Sequence, residues 1–278
     1  MDLDLRTIRA LIERFLDEDI GHGDVTTEAV VDASARGAAR IEAREDFVVA
    51  GLDAARLAFE ILDGEMRWDA RVAEGERVAA GDVIVRIEGS LRAILTAERT
   101  ALNLLARLSA VATLTRRFVD EVEGTPARIV DTRKTTPGLR VLEKAAVRAG
   151  GGGNHRFGLD DGILVKDNHI RAAGGVAPAV ERARNAAPHG LVVEVEVTDL
   201  RELDDALSAG AQAVLLDNMD PSTVTEAVAR AGGKVILEAS GGMNLGNVRD
   251  FAATGVDLIS IGALTHSAGS VDVSLEME

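Results

Sequence analysis

Apolar residues at positions 5, 8, 12, 15 and 16 fall on one helical face, which predicts that the chain opens with a helix. "EDIGHGDVTTEAV" follows as a turn with capping residues. Residues 38–50 and 66–88 alternate or run β-branched, with Gly75, Gly81 and Gly89 as punctuation, and predict the strands of a small mixed domain. From Thr96 to about Val122 apolar residues recur at 101, 105, 108, 112, 118, 119 and 122 without Gly or Pro. That pattern predicts one long helix, stopped by Gly124 and Pro126.

The grain then changes to short apolar runs: "ARIVDTR", "GILVKDN", "LVVEVEV", "AVLLDNM", "KVILEAS" and "LISIGAL". Segments of helical length separate the later ones. Gly210 and Gly255, 45 residues apart, each follow a helix and precede a strand, as a glycine just past a helix end does. Strand and helix in alternation predict a parallel sheet, and six such runs an α/β barrel, incomplete if no further strand closes it.

Composition narrows the class. At 278 residues and 46% hydrophobic, the chain is long enough for one large or two smaller globular domains. No run of about 18 apolar residues is present, and the acidic start lacks the basic and apolar regions of a signal peptide. A soluble cytoplasmic protein with no membrane partner is expected. There is no cysteine, so disulfides and thiolate metal sites are excluded. The net charge of −15 argues against nucleic acid as a partner. Only Lys134, Lys144, Lys166 and Lys234 are lysines, a balance that fits a salt-rich cytoplasm. "VAEGERVAAGDVIVRIEG" has the look of a lipoyl-type turn but lacks the lysine such carriers modify, so it reads as scaffold.

Chemistry belongs at the C-terminal ends of barrel strands. Every run supplies a candidate there: Arg133 and Lys134, Lys166, Glu196, Asp217, Ser240 with Gly241 and Gly242, and Gly262. From Arg133 to Arg156 there are six basic residues and one acid, Glu143, inside an acidic chain. A small, highly charged anion is the expected ligand. Arg140, Lys144 and Arg148 are spaced i, i+4, i+8 and are also explained by a solvated helix face. "EASGG" and "SIGALTHS" can aim backbone N–H groups at a phosphate. Glu196 and Asp217 suit Mg²⁺, sugar hydroxyls or base catalysis, or else pair with the lysines.

"DTRKTTPGLR", "EKAAVRAGGGGNHRFGLDDGILVKDNH", "VEVEV", "LLDN", "EASGG" and "SIGALTHS" resemble the quinolinate phosphoribosyltransferase family, as do "EDIGHGDVTT", "VAGL" and "AERTALNLLARLSAVATLT" earlier in the chain. The resemblance implies a mixed α/β N-terminal sandwich domain plus an open α/β barrel of the type II phosphoribosyltransferase kind. Boundaries are set at 1–105 and 106–266, with the tail 267–278 free to return to the first domain. The implied reaction moves phosphoribose from phosphoribosyl pyrophosphate to quinolinate with loss of CO₂, in de novo NAD biosynthesis. Mg²⁺ is the implied cofactor.

The same resemblance implies that Thr132, Arg133, His155, Arg156 and Lys166 hold quinolinate. Arg99 joins them from the partner of a homodimer, from which a higher oligomer can be built. Lys134, Glu196, Asp217, Ser240, Gly241, Gly242, Gly262, Ala263, Leu264 and His266 are implied to hold phosphoribosyl pyrophosphate. Lys134, Lys166, Glu196 and Asp217 are the implied catalytic groups, and Glu196 and Asp217 hold the metal in part through water. Arg99 is placed near the start of the long helix, where the macrodipole disfavours a cation. His169 is left between orienting the site and a structural role, and His22 is given none. Gly150–Gly153 end a helix that begins near Gly138 and read as a flexible approach that lets His155 and Arg156 reach a dicarboxylate. The alternatives are a relative of this fold associated with molybdenum transport, a Schiff-base aldolase using Lys166, and a non-enzymatic interaction module.

Overall fold

The computed structural model describes residues 5–278, with nothing said of the Leu5 side chain, and divides into two compact units. Residues 1–4, on which part of the leader argument rests, lie outside the described residues. The first unit runs to Arg116 and regains the chain at Thr136–Gly151 and Ser267–Glu278. Its elements are α1 (Leu5–Ile20), α2 (Val25–Val30), β1 (Arg36–Ala43), β2 (Phe47–Val48), α3 (Leu52–Leu62), β3 (Arg67–Ala70), β4 (Arg77–Val78), β5 (Val83–Ser90), most of α4 (Leu91–Glu121), α5 (Arg140–Ala149) and a C-terminal strand, Val273–Met277. The sheet order is C-terminal strand–β1–β5–β3, all antiparallel, with β2 and β4 paired separately. Ile8, Ile12 and Leu16 of α1 are buried, as their spacing requires. The Asp24 side chain caps α2 by accepting from Thr27 N at 2.9 Å.

The expected boundary after residue 105 moves to Arg116, and 136–151 joins the first unit. The cause is packing along α4. Leu105, Leu108, Val111 and Ala112 are buried, and Glu143 of α5 is ion-paired to Arg107 at 2.9 Å with no exposure of its own. α4 also starts at Leu91, five residues before the sequence pattern begins. Arg99 therefore sits in its third turn, beyond the reach of the helix terminus, and the dipole argument for its oddity falls away.

The second unit holds Arg117–Thr135 and Gly152–His266. After the end of α4 come β6 (Arg128–Val130), β7 (Ile163–Val165), α6 (Asp167–Ala173), α7 (Val176–Ala186), β8 (Val193–Val197), α8 (Leu200–Ser208), β9 (Ala213–Asp217), α9 (Pro221–Ala231), β10 (Ile236–Ser240), α10 (Val248–Ala252), β11 (Leu258–Ser260) and α11 (Ala263–His266). All six strands are parallel, in the order β6–β11–β10–β9–β8–β7. Among the described residues no ladder joins β6 to β7, so the barrel is open there. Central strands such as "AVLLD" are almost wholly buried, as parallel strands covered on both faces must be. Asp199 and Asp220 cap α8 and α9, the latter with Pro221 in its first turn. Gly210 and Gly255 adopt φ of 78° and 89° after their helices, in the left-handed region that favours glycine.

Gly150 and Gly151 are packed within the first unit, and Gly153 is paired within the second. In the first unit a Cβ on Gly150 would lie 2.4 Å from Ala112 O and 2.6 Å from Thr115 Cβ. One on Gly151 would lie 2.9 Å from Arg116 Nη2, and φ there is 88°. In the second unit Gly153 pairs with Val130 in a parallel bridge, donating its N–H to Ile129 O at 2.8 Å. Gly150 is small because the α4 backbone passes close by, whereas Gly151 and Gly153 meet the Arg116 and Val130 side chains.

Candidate active site

A cavity of about 390 Å³ opens in the second unit. Nine of the residues singled out from the sequence line it: Thr132, Arg133, Lys134, His155, Arg156, Lys166, Glu196, Asp217 and Ser240. They come from the ends of β6 to β10 and from the segment after Gly153, so parallel strand ends do converge as anticipated. Arg99 belongs to the first unit, with its side chain 64% exposed and 3.9 Å from the Glu98 carboxylate. Arg140, Lys144 and Arg148 also lie in the first unit, on α5, and none lines the cavity. Lys144 is 2% exposed, so they do not form the solvated face that their spacing allows.

The segment carrying His155 and Arg156 is tied to the end of β6. Asp131 is fully buried; its carboxylate accepts from His155 N at 2.9 Å and from Asn154 Nδ2 at 2.7 Å. Arg156 Nη1 donates to Gly162 O at 2.9 Å, while its Nε is buried with no acceptor. Burial first, and Arg133 second, hold the Arg156 guanidinium below the usual arginine range. Glu194 and Asp161 pull the other way without offsetting this, and an anion between the two guanidinium groups would add to their pull.

His155 lines the cavity beside Arg133 and Arg156, and its ring also meets neighbouring protein groups. Its Nδ1 accepts from Arg156 N at 2.7 Å, so the ring proton sits on Nε2 and is directed at Glu194 Oε2, 3.0 Å away. Glu238 Oε2 lies 3.6 Å from the same nitrogen. Both ring nitrogens are thus engaged by the protein, and the imidazole acts by holding Arg156. His155, Glu194 and Glu238 bring three ligand atoms within 4.8 Å of one another. With Nδ1 accepting from Arg156 N, a hydrogen bond from Nε2 to Glu194 accounts for this trio as a hydrogen-bonded cluster.

Sequence reasoning passed over Asp131, Asn154, Glu194, Glu238 and Ser260. Asp131, Glu238 and Ser260 are nearly inaccessible, and Glu238 and Ser260 line the cavity. The available signal was a carboxylate inside an apolar strand run: "VEVEV" puts Glu194 and Glu196 on one face, and "ILEAS" buries Glu238 between Leu237 and Ala239. Burial, with Glu194 next, pushes the Glu238 carboxyl up to about 7, against the pull of His155.

At the cavity rim Lys166 Nζ meets Glu196 Oε2 at 2.6 Å, which is the pairing that the bland reading of Glu196 allowed. His169 orients this turn by accepting the Lys166 N–H on Nδ1 at 2.9 Å. The Asp217 carboxylate accepts from Asn218 Nδ2 at 2.8 Å. Asn218, the non-glycine residue at positive φ (54°) among those described, also donates its N–H to Ser240 O at 2.9 Å. Gly241 must be glycine beside it, because a Cβ would lie 2.2 Å from Asn218 Oδ1. Gly242 follows at φ 64°. β11 ends at Ser260, two residues before Gly262. Gly262 would place a Cβ 3.1 Å from Lys134 Cδ and 3.2 Å from His266 Nε2, which gathers those two side chains around it. Ala263 opens α11 half-buried, while Leu264 is wholly buried and has only its backbone to offer a ligand.

The described helices contain none long and apolar enough to cross a membrane. Residues 24–109 match the family model for the quinolinate phosphoribosyl transferase N-terminal domain, and residues 111–276 match its C-terminal domain. The chain is 44% identical over 269 residues to a probable nicotinate-nucleotide pyrophosphorylase (carboxylating) of Synechocystis, covering 96% of this chain and 91% of that protein. It is 43% identical over 282 residues to the Mycobacterium leprae nicotinate-nucleotide pyrophosphorylase (carboxylating), covering 99% of each. The solved nicotinate-nucleotide pyrophosphorylase of Francisella tularensis superposes with a TM-score of 0.96 at 40% identity, covering 100% of this chain and 98% of that one. With both domain models matched in order and relatives similar along nearly their whole length, the chain belongs to the quinolinate phosphoribosyl transferase family.

Proposed function

We propose that this protein transfers phosphoribose from phosphoribosyl pyrophosphate to the pyridine nitrogen of quinolinate and releases pyrophosphate, CO₂ and nicotinate mononucleotide. The observation that carries the reading is the Arg133–Arg156 pair beside Lys166 in one cavity, with burial and mutual repulsion holding Arg156 low. Such a group calls for an anion with more than one charge. Quinolinate supplies two carboxylates. Thr132 lies beside them at the end of β6, and His155 serves by fixing Arg156.

The phosphoribosyl donor takes the rim. Lys134 and Lys166 face the pyrophosphate. The backbone of Ser240, Gly241 and Gly242, and that of Gly262, Ala263 and Leu264 with His266 beside it, receives the 5′-phosphate. Glu196 and Asp217 lie on neighbouring parallel strands, offer hard oxygen donors and fit a Mg²⁺ that keeps much of its water. When bound, Mg²⁺ neutralises charge on the departing pyrophosphate. Loss of pyrophosphate leaves positive charge on the ribose ring, which Glu196 and Asp217 stabilise. The pyridine nitrogen then attacks, and its quaternary form accepts the electrons released as the adjacent carboxylate leaves. No covalent enzyme intermediate is needed.

The protein works in the cytoplasm as a homodimer in which Arg99 reaches the partner's cavity. Its exposure and its weak pairing with Glu98 leave it able to do so. The test is incubation with quinolinate, phosphoribosyl pyrophosphate and Mg²⁺, watching for nicotinate mononucleotide, with nicotinate as the control substrate and EDTA abolishing turnover. Lys166→Ala should lose activity. Arg156→Ala should raise KM for quinolinate far more than for phosphoribosyl pyrophosphate. An active Lys166→Ala enzyme, or turnover with nicotinate alone, overturns the reading.

A further inference from the structure

The reaction proposed above leaves Glu238 without a task. β10 holds it in the cavity wall, 1% exposed, and neither carboxylate oxygen makes a well-formed hydrogen bond, the Ser260 hydroxyl being the nearest donor to it. Four groups face it from the elements packed around it: Glu194 on β8, His155 after Gly153, Asp131 after β6 and Ser260 on β11. His155 offsets the other carboxylates only in part, since its Nε2 lies nearer Glu194, 3.0 Å against 3.6 Å to Glu238. An ionised Glu238 would face two other carboxylates, Glu194 and Asp131, against only the Ser260 hydroxyl and the shared His155 ring, and burial outweighs both. Burial accordingly raises the group to about 7, and at neutral pH a large share of it carries a proton.

The chemistry needs a proton in that cavity. When the bond from pyridine C2 to its carboxylate breaks, CO₂ departs neutral and both bonding electrons stay on C2. One H⁺ must then reach C2 to give the product. Arg133, Arg156 and Lys166 are poor sources, since each would forfeit the charge that holds an anion. We propose that Glu238 is the general acid that delivers this proton to C2. Its O–H bond breaks, the electrons remain on the carboxylate, and the new C2–H bond uses the pair left by CO₂. Water entering as product leaves returns the proton. The proposal rests on reading the chain as a decarboxylating phosphoribosyltransferase.

The experiment is a single turnover of the full-length protein with Mg²⁺, phosphoribosyl pyrophosphate and quinolinate labelled in its 2-carboxylate. Pyrophosphate and CO₂ are timed separately. In Glu238→Gln, pyrophosphate should appear within about threefold of the wild-type rate, while CO₂ release falls about 100-fold, the usual worth of a general acid. N-ribosylated quinolinate should accumulate, because a C2 anion that finds no proton recaptures CO₂. Glu238→Asp, which keeps the acid, should restore most of the CO₂ rate. Equal rates for the two products in Glu238→Gln, whether both normal or both lost, overturn the assignment. So does a Glu238→Asp variant as slow as Glu238→Gln. A wild-type protein that releases neither product from quinolinate overturns the underlying reading instead, and the proposal with it.

Discussion

Gly150→Ala separates a packed glycine run from a flexible one. The backbone at Gly150, φ −70° and ψ −5°, suits alanine, so no strain arises there. The cost is steric. The new methyl would sit 2.4 Å from Ala112 O, 2.6 Å from Thr115 Cβ and 3.0 Å from Thr115 Cγ2. Both residues lie on α4, whose Val111 and Ala112 are completely buried, so the helix has no free direction in which to yield. Overpacking of this kind costs about 1–3 kcal/mol. Alanine returns about 0.4–1 kcal/mol by restricting the unfolded chain. A net loss of about 1 kcal/mol corresponds to a fall in Tm of roughly 2–4 °C for a chain of this size. Gly64→Ala is the control, since that site has open space around it and no positive φ. Thermal unfolding by circular dichroism should show the drop for Gly150→Ala and none for Gly64→Ala. Two equal melting curves would refute the close-packing argument, and a change in quinolinate KM at unchanged Tm would restore the tether.

A buried ion pair in the same unit gives a second test. Glu143 is wholly buried and accepts from Arg107 Nη2, Thr136 N and Thr136 Oγ1 at 2.9–3.0 Å. Arg107→Ala strands that carboxylate and should cost about 3–5 kcal/mol in urea unfolding, whereas Glu143→Gln should cost less. The third test concerns pH. Glu238 is raised in the folded protein, so it favours the folded state below its unfolded value and loses that advantage as pH climbs to about 7. Unfolding free energy should fall by up to about 3 kcal/mol from this group between roughly pH 4.5 and 7, and Glu238→Gln should flatten that part of the profile.

The architecture was largely legible because parallel strands buried on both faces write themselves as apolar runs, and because helix ends leave glycines such as Gly210 and Gly255. The cavity rim was legible for the same reason: a polar residue closing an apolar run stands out at Lys166, Asp217 or Ser240. What lay beneath the rim was not. Glu194 and Glu238 interrupt their runs, but one sequence does not reveal whether such a carboxylate meets a partner, a proton or solvent. The place of 136–151 was hidden too, since membership of a unit depends on contacts with α4 that carry no local signature. The partners of His155 were hidden too, since its two nitrogens meet neighbours 1 and 39 positions away in the chain.

The opening between β6 and β7 separates durability from selectivity. Six strands form an unbroken ladder without help from the segment 153–156, which is fastened to one edge of the sheet by Gly153 and Asp131. Under the proposed function, changes along that fastening would act on the acceptor acid and leave the turns after β10 and β11 as they are. A seam of this kind lets a lineage, or an engineer, exchange the acceptor substrate without reopening the folding problem.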